Sequence, residues 1–211
     1  MADWPTIASL ATAGGTLVLA AATFASVRSA NRAARTAERS LLAGLRPLFL
    51  NSRLQDDEQK IWWQDGHVNR LGGGRAIAEE ADGIIYMLAS LRNAGSGIGV
   101  VHGWIIYPEW RPGDHEHADL ERFRRQNRDL YIAPGDTGFW QGAIRDMDDP
   151  DRSAMFDAIK RHERLTLDVL YGDYEGGQRT ITRFSFTPIG DGAEYLCGVG
   201  RHWNIDRADP R

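Results

Sequence analysis

The chain has 211 residues, 42% of them hydrophobic and 26% charged, which excludes a wholly disordered, collagen-like or polytopic membrane protein. Its single cysteine excludes an intrachain disulfide. The formal net charge of −4 is unevenly distributed, because residues 28–53 carry +5 and residues 54–211 carry −8. The acidic part would repel phosphates, so we expect no nucleic-acid partner.

The N-terminal region has no charged residue from Trp4 to Val27, a run of 24 residues. A helix over this run would be about 36 Å long, and the hydrocarbon core of a bilayer is about 30 Å thick. The sequence therefore predicts a transmembrane helix in residues 1–27. Two alternatives stay open. One is a cleaved signal peptide, although the basic n-region of such a peptide is missing, and the other is a buried helix of a soluble domain.

Basic residues follow this predicted span, and none precedes it. The positive-inside rule then places the C-terminal domain in the cytoplasm, on the inner face of the plasma membrane. We expect a basic juxtamembrane helix over residues 28–46, ended by Gly44 and Pro47. The arginines that follow the span are Arg28, Arg32, Arg35, Arg39 and Arg46.

Four of these arginines are spaced by four, three and four residues, so they fall in one stripe of a helix at about 100° per residue. The arginine stripe consists of Arg28, Arg32, Arg35 and Arg39. We interpret it as a contact with anionic lipid headgroups, and a solvated face that only enforces topology is the alternative. Ala11 and Gly15 stand four residues apart in the span, a spacing that lets helices pack, so the helix is also a candidate for homo-oligomer formation.

From residue 47 onward the pattern changes to alternating apolar and polar residues, which is typical of half-buried strands. Seven or eight short strands with turn residues between them predict a mainly β domain over residues 47–211, an antiparallel immunoglobulin-like β-sandwich. Two segments, 118–127 and 150–161, look helical and predict two short helical insertions. The expected strands lie within 83–97 and at 100–107, 129–134, 137–145, 165–171, 179–186 and 195–203, and the segments 47–54 and 60–63 are shorter candidates.

In two of these strands, the alternation predicts which side chains share one face. In the strand 165–171, Leu165 and Tyr171 should share one face. In the strand 195–203, Tyr195, Cys197 and Trp203 should lie on one side, which makes Cys197 a buried and unreactive thiol.

The stretch LRNAGSGIGV contains the pattern L-x-N-x-G-x-G ahead of a strand, and VLYGDYEGG follows later. Together they resemble immunoglobulin-like sandwich domains behind single bacterial membrane helices. With GLRPLFL, GFWQGAIRD and YGDYEGGQRTITRF included, nearly the whole chain resembles a family of small actinobacterial single-pass membrane proteins. No activity is assigned to that family, so the resemblance implies an architecture but neither a reaction nor a cofactor.

Candidate sites for chemistry are few, and we expect no catalytic residue and no cofactor. His115 and His117 are weak metal candidates, because two histidines one residue apart lie on the same side of an extended segment and could bind zinc. A polar loop is the alternative. Residues 72–75, Gly-Gly-Gly-Arg, lack the strand-to-helix setting and the Lys-Ser/Thr of a P-loop, so they predict a mobile β-turn.

Trp62 and Trp63 cannot both face inward on a regular strand, so we expect one of them to be exposed. An exposed tryptophan is a suitable anchor for a protein partner, and both residues are candidates for that contact. The sequence thus favours a membrane-anchored, non-enzymatic interaction module with an acidic sandwich in the cytoplasm. A membrane-bound metal-dependent hydrolase and a ligand-sensing domain are the alternatives.

Overall fold

The computed structural model describes residues 3–112 and 116–208. The chain divides into two compact units, Met1–Gly44 and Leu45–Arg211. The chain is mainly β, since 39% of the described residues lie in strands and 25% in helices. The mainly β content predicted from the alternating pattern is therefore confirmed.

The first unit is one helix, α1, from Trp4 to Gly44. Residues Ile7–Leu42 are long and apolar enough to cross a membrane, judged by length and composition. The large hydrophobic side chains are exposed, and Leu17 and Phe24 are 73% and 69% exposed. Because a core helix of a soluble domain buries such side chains, α1 has the character of a membrane anchor or a signal sequence.

Threonine hydroxyls of α1 are paired within the helix itself. Thr12 donates to the carbonyl oxygen of Ala8 at 2.9 Å, and Thr23 donates to that of Leu19 at 2.8 Å. A hydroxyl bonded in this way needs no water. Thr12, Thr16 and Thr23, whose hydroxyls all bond in this way, therefore add little to the cost of burial in lipid.

The second unit contains twelve strands and one further α-helix among the described residues. The strands are β1 (Phe49–Asn51), β2 (Gln59–Trp62), β3 (Val68–Leu71), β4 (Arg75–Ala81), β5 (Ile84–Asn93), β6 (Gly99–Tyr107), β7 (Arg124–Arg125), β8 (Tyr131–Ile132), β9 (Thr137–Ile144), β10 (Leu165–Asp173), β11 (Arg179–Pro188) and β12 (Glu194–Asn204). The helix α2 (Arg152–Lys160) lies between β9 and β10 in the chain.

Ten of the strands form one sheet, and every pairing in it is antiparallel. The order is β9-β5-β4-β12-β11-β10-β6, with β1 beside the end of β5 and with β7 and β8 beside β6. The strands β2 and β3 form a separate hairpin. The pairing of β4 with β12 is short, only three residue pairs, so this is the point where the sheet can bend.

Contacts between distant strands show that the sheet does fold over on itself. The ring of Phe49 in β1 stacks on that of Tyr171 in β10, with centroids 4.1 Å apart. Trp104 in β6 meets Trp140 in β9 edge to face at 5.3 Å. These contacts bring the part of the sheet around β5 against the part around β10, and we call these two parts the β5 layer and the β10 layer.

The main core lies between the two layers. The alternation expected for 165–171 is confirmed, because Leu165, Leu167, Val169 and Tyr171 all join this core and are fully buried. The helix α2 contributes Met155.

Both outer faces of the sandwich are partly covered as well. The β2–β3 hairpin covers the β5 layer, and its Ile61 packs with Tyr86 and Leu88. On the β10 layer, Leu120 and Phe123 pack on a small cluster around Trp203. A strand with two covered faces is buried at every position, which is the case for β10.

The predicted helix over 118–127 is wrong. Only Leu120–Arg122 forms a single 3-10 turn, and Arg124–Arg125 then pairs with β6 as β7. The physical reason is tertiary, because Phe123 packs on the outer cluster while Arg124 bonds to Asp149 and Asp151. The second predicted helix is present as α2, but it starts at Arg152 behind Asp151, not at residue 150.

The expectation that Trp203 shares a face with Tyr195 and Cys197 is also wrong. The pairing of β11 with β12 shifts register between Arg183 and Phe184, which skips Gly200 in β12. An extra residue on one strand reverses which face the following side chains occupy. Tyr195 and Cys197 therefore lie in the main core, and Trp203 lies in the outer cluster.

Candidate functional site

The arginine stripe lies on the C-terminal part of α1, where all four side chains are exposed. Arg28 and Arg39 are eleven residues apart, or about 17 Å along a helix axis. A charged lipid surface attracts basic residues only within about one Debye length, roughly 8–10 Å. For a helix that runs along the membrane normal, Arg28 and Arg32 would lie within this range of the headgroups and Arg39 beyond it. The stripe is therefore graded along its length.

Arg46 does not belong with the juxtamembrane arginines in the structure. It lies beyond the end of α1, and its guanidinium donates to Thr180 Oγ1 and Asn204 Oδ1, both at 3.1 Å, and to Asp206 Oδ2 at 2.5 Å. These bonds tie the first residues of the second unit to its last strand. Arg46 is therefore a structural group of the second unit.

The two adjacent tryptophans have opposite environments, as expected. Trp62 is 58% exposed, with the Lys60 ammonium 4.4 Å from its ring centre. Trp63 is 8% exposed, and its indole N–H donates to Asn69 Oδ1 at 2.7 Å. A partner protein can reach only the first of these rings, so Trp62 alone remains a candidate for the contact.

The histidine pair is described only in part, because His115 lies outside the described residues. The His117 ring bonds through Nδ1 to the carbonyl oxygen of Ala118 at 2.8 Å and lies against Trp203 at 6.1 Å. Among residues 3–112 and 116–208, no group of three or more His, Cys, Asp or Glu side chains is placed to hold a metal ion. The described part of the chain therefore offers His117 no set of metal ligands.

The glycine triplet is a packed turn. Gly73 is buried, and a Cβ atom there would come within 2.2 Å of the carbonyl oxygen of Arg53. The triplet connects β3 to β4, two strands that the sequence analysis missed. A turn held this closely against neighbouring backbone has no cradle for a phosphate.

Cys197 is 2% exposed, and burial raises the pKa of its thiol to about 12. Because the thiolate is the reactive form, this cysteine is inert at neutral pH. The expected burial of Cys197 is confirmed.

The motif L-x-N-x-G-x-G has a structural explanation centred on Asn93, which is fully buried at the end of β5. Its amide nitrogen donates to the carbonyl oxygens of Gly97 at 2.7 Å and Ile132 at 3.0 Å. Its Oδ1 accepts from the backbone N–H groups of Leu48 and Gly95. With its side-chain groups paired on both sides, Asn93 joins three separate segments and is not exposed for binding.

The glycines of this motif make room for the segment that follows α1. A Cβ atom on Gly97 would lie 1.7 Å from the carbonyl oxygen of Leu45, and one on Gly95 would lie 2.3 Å from that of Arg46. We call residues 45–48 the docking segment and the turn 93–97 its socket. The motif therefore fixes the place where the chain enters the sandwich.

A buried ion pair lies on the outer side of the β10 layer. Asp168 and Arg183 face each other across β10 and β11, and both are at least nine-tenths buried. The guanidinium donates to both carboxylate oxygens, at 2.8 and 2.7 Å, and lies 4.9 Å from the ring centre of Trp203. A pair with no solvent access serves the fold rather than a substrate.

A polar cleft of about 190 Å³ lies between the edge of β9 and the segment after β7. We call it the arginine cleft. Its apolar floor includes Trp63 and Trp104, and Gly142 of β9 also lines it. Its polar rim consists of Gln64, Arg125, Gln126, Asn127, Arg128, Gln141 and Arg145.

A polar network holds one wall of the arginine cleft in place. Tyr86 donates from its hydroxyl to Asp65 Oδ2 at 2.7 Å, and Arg145 donates to the same carboxylate. These bonds hold the pKa of Asp65 well below its usual range, with the bond from Arg145 as the largest cause. The carboxylate is therefore ionised at neutral pH and fixes the turn of the β2–β3 hairpin onto the β5 layer.

The arginine cleft was missed by the sequence analysis, because its residues come from three distant segments. The run RFRRQNRD (122–129) does carry four arginines within an acidic domain, and this was the available signal. The segment 118–127 was interpreted as a helical insertion, so these arginines were not considered as part of a site. Comparisons with protein-family models, with curated proteins and with solved structures find no match to this chain.

Proposed function

We propose that this chain is a membrane-anchored, non-enzymatic interaction module that presents an acidic β-sandwich on the cytoplasmic face of the plasma membrane. The observation that carries the proposal is α1, whose apolar side chains are exposed over a stretch longer than a bilayer needs. The compact sandwich that follows it has its own core and supplies the surface for a partner.

The immunoglobulin-like assignment is part of this proposal, and the strand pairing supports it. In an immunoglobulin domain, one sheet has the order A-B-E and the other C-F-G. Here β1, β5 and β9 pair in the first pattern, and β6, β10 and β11 pair in the second, each in the same chain order. The strands β4 and β12 are additions that join the two layers.

Anchoring is tested by a charge in the span. Val18→Arg should release the chain from membranes, because an arginine at the centre of a bilayer helix costs about 2.5–3.5 kcal/mol in insertion. Met147→Arg is the matched control, since Met147 is 67% exposed on the sandwich. The measurement is flotation with vesicles in a density gradient. Equal flotation of both variants would contradict the anchor.

Orientation is tested by single cysteines in a Cys197→Ala background, at Asp3→Cys before the span and Met147→Cys in the sandwich. The excess of arginine after the span supports a cytoplasmic domain. A membrane-impermeant maleimide on intact cells should label position 3, and position 147 only after permeabilisation. The reverse pattern would overturn the orientation.

Trp62 supports the contact with a protein partner, because a large exposed ring at a hairpin is a typical interface anchor. Trp110 is the matched control, since it is 50% exposed and has the Arg164 guanidinium 4.8 Å from its ring centre. A photo-crosslinker at position 62 should yield a defined adduct in native membranes, and one at position 110 should not. Identical adduct patterns would count against Trp62.

Lipid contact through the arginine stripe and self-association through the small residues of α1 complete the proposal. Ala11 and Gly15 lie one helical turn apart, and no atom lies within 4 Å of a Cβ atom built on Gly15. This leaves room for a second helix to approach. Gly15→Leu should abolish crosslinked dimers in membranes if this face is used, and unchanged dimer yield would exclude it.

A further inference from the structure

We propose that the arginine cleft is a binding site for a small flat-ring molecule that carries a carboxylate or phosphate group. This goes beyond the interaction module, because it assigns a low-molecular-weight ligand to the sandwich itself. The inference rests on charge, on unpaired polar atoms and on the shape of the cleft.

Positive charge is concentrated at the rim of the cleft although residues 54–211 carry −8 overall. Arg125 and Arg128 are exposed, and neither forms an ion pair with any residue that the structure describes. Arg145 is partly neutralised by Asp65, its partner in the hairpin network. Two free guanidinium groups facing one concavity favour an anion, and guanidinium suits the planar geometry of carboxylate and phosphate.

Two side-chain amide oxygens without a hydrogen-bond donor belong to residues that line the arginine cleft. The Oε1 atoms of Gln126 and Gln141 are buried and accept no hydrogen bond from the described residues. Their Nε2 atoms are used, since Gln126 donates to the carbonyl oxygens of Arg128 and Gln141, and Gln141 donates to Asp129. The amide orientation is thus fixed by these donors, and two acceptors remain beneath the cleft. A ligand with an N–H or O–H donor would satisfy them.

The floor of the cleft favours a flat ring over a bare ion. Trp63 and Trp104 line it, each with a small exposed edge, and Gly142 between the walls has no side chain to fill the space. Both indoles are fixed, Trp63 by its bond to Asn69 and Trp104 by its contact with Trp140. A rigid, half-apolar pocket of about 190 Å³ matches one small ring with its anionic group rather than a larger cofactor.

The test is calorimetric titration of the full chain in detergent with four probes. Imidazole-4-carboxylate and phenyl phosphate combine a ring with an anion, benzamide is a neutral ring, and acetate is an anion without a ring. We expect one or both of the first pair to bind at a single site, and benzamide and acetate to bind at least about tenfold more weakly.

The decisive variant is Arg125→Ala combined with Arg128→Ala, which leaves the fold intact because both side chains are exposed and unpaired. It should weaken binding of the anionic ring by about tenfold or more, since hydrogen bonds from a charged guanidinium to the anion are lost. The matched control, Arg53→Ala with Arg207→Ala, removes two exposed arginines elsewhere and should change binding by less than about twofold. Three outcomes would each overturn the proposal: no binding of either anionic ring at millimolar concentration, equal binding of benzamide, or equal loss in both double variants.

Discussion

The two units of this chain differ in where their apolar side chains lie. In α1, Leu17 and Phe24 are exposed, and the hydrogen bonds of the helix are made between residues near each other in the chain. In the sandwich, Phe49 meets Tyr171 across 122 positions, and both are fully buried. A lipid environment can surround the apolar side chains of the first unit, whereas the second unit buries its apolar side chains within its own fold. The same kind of substitution should therefore have different effects in the two units.

The largest expected effect is at the buried ion pair, which exists only through the folding of the sandwich. Asp168→Ala leaves the Arg183 guanidinium buried without its counter-charge and should lower the free energy of unfolding by about 3–5 kcal/mol. Denaturant unfolding of the full chain in detergent, followed by tryptophan fluorescence, measures this change. Asp146→Ala, an exposed carboxylate, is the control and should change stability by about 0.5 kcal/mol or less. Vesicle flotation should be unchanged in both, and release by Asp168→Ala would contradict independent units.

The next effect is the response of the sandwich to alkali. Burial raises the pKa of Cys197 from near 9 to about 12, so the folded state holds this proton where the unfolded state has lost it. The stability is therefore fully present below pH 9 and falls by about 1.4 kcal/mol for each pH unit between 9 and 12. Cys197→Ala should make this decline shallower in denaturant titrations at pH 8, 9, 10 and 11. An identical slope in both proteins would contradict the shift. Buried Tyr171, with a pKa of about 12, should keep part of the slope from pH 10 upward.

One glycine-to-alanine substitution in each unit compares the two units directly. Gly97→Ala places a Cβ atom 1.7 Å from the carbonyl oxygen of Leu45 and should destabilise the sandwich by about 1–3 kcal/mol, because neighbouring backbone must move. Gly15→Ala meets no atom within 4 Å and should stabilise α1 by up to about 1 kcal/mol. Thermal unfolding measured by circular dichroism reports both helix and sheet. Equal effects at the two positions would show that the turn 93–97 can move aside to accommodate the added methyl group.

The smallest effect separates lipid contact from topology in the arginine stripe. Arg28→Gln with Arg32→Gln should weaken binding to anionic vesicles by about 1 kcal/mol per residue. Arg35→Gln with Arg39→Gln should have less effect, because Arg39 is about 17 Å farther along the helix than Arg28. Partition of synthetic α1 peptides between vesicles with and without anionic lipid measures the difference. Equal losses in the two variants would indicate a helix that lies along the surface.

Features that depend on residues near each other in the chain could be predicted from the sequence, and features that depend on distant residues could not. The helix α1 and the alternation of β10 were predicted because they depend on residues close together in the chain. The strands β3 and β4 were missed, since neither is long or strongly alternating and their pairing with β2, β5 and β12 supports them. The face of Trp203 was predicted wrongly, because one skipped glycine in the register with β11 reverses the pattern.

The candidate sites also differ in whether a local sequence pattern indicates them. The arginine stripe is a periodic pattern within one helix and was found at once. The arginine cleft joins Trp63, Arg125 and Gln141 from three parts of the chain, so no local pattern indicates it. The asparagine of the L-x-N-x-G-x-G motif was seen, but its role as a joint between segments depends on the carbonyl of Ile132, 39 positions away.

The docking segment has a mechanical consequence. A tension applied to α1 would enter the sandwich at Leu45 and would meet Arg46, bonded to the last strand, before it reached β1. The Asn93 bond to Leu48 and the hydrogen bonds of β1 to β5 come next along the chain. Because Arg46 joins the first residues of the sandwich to its last strand, a force applied at Leu45 would load β12 together with β1.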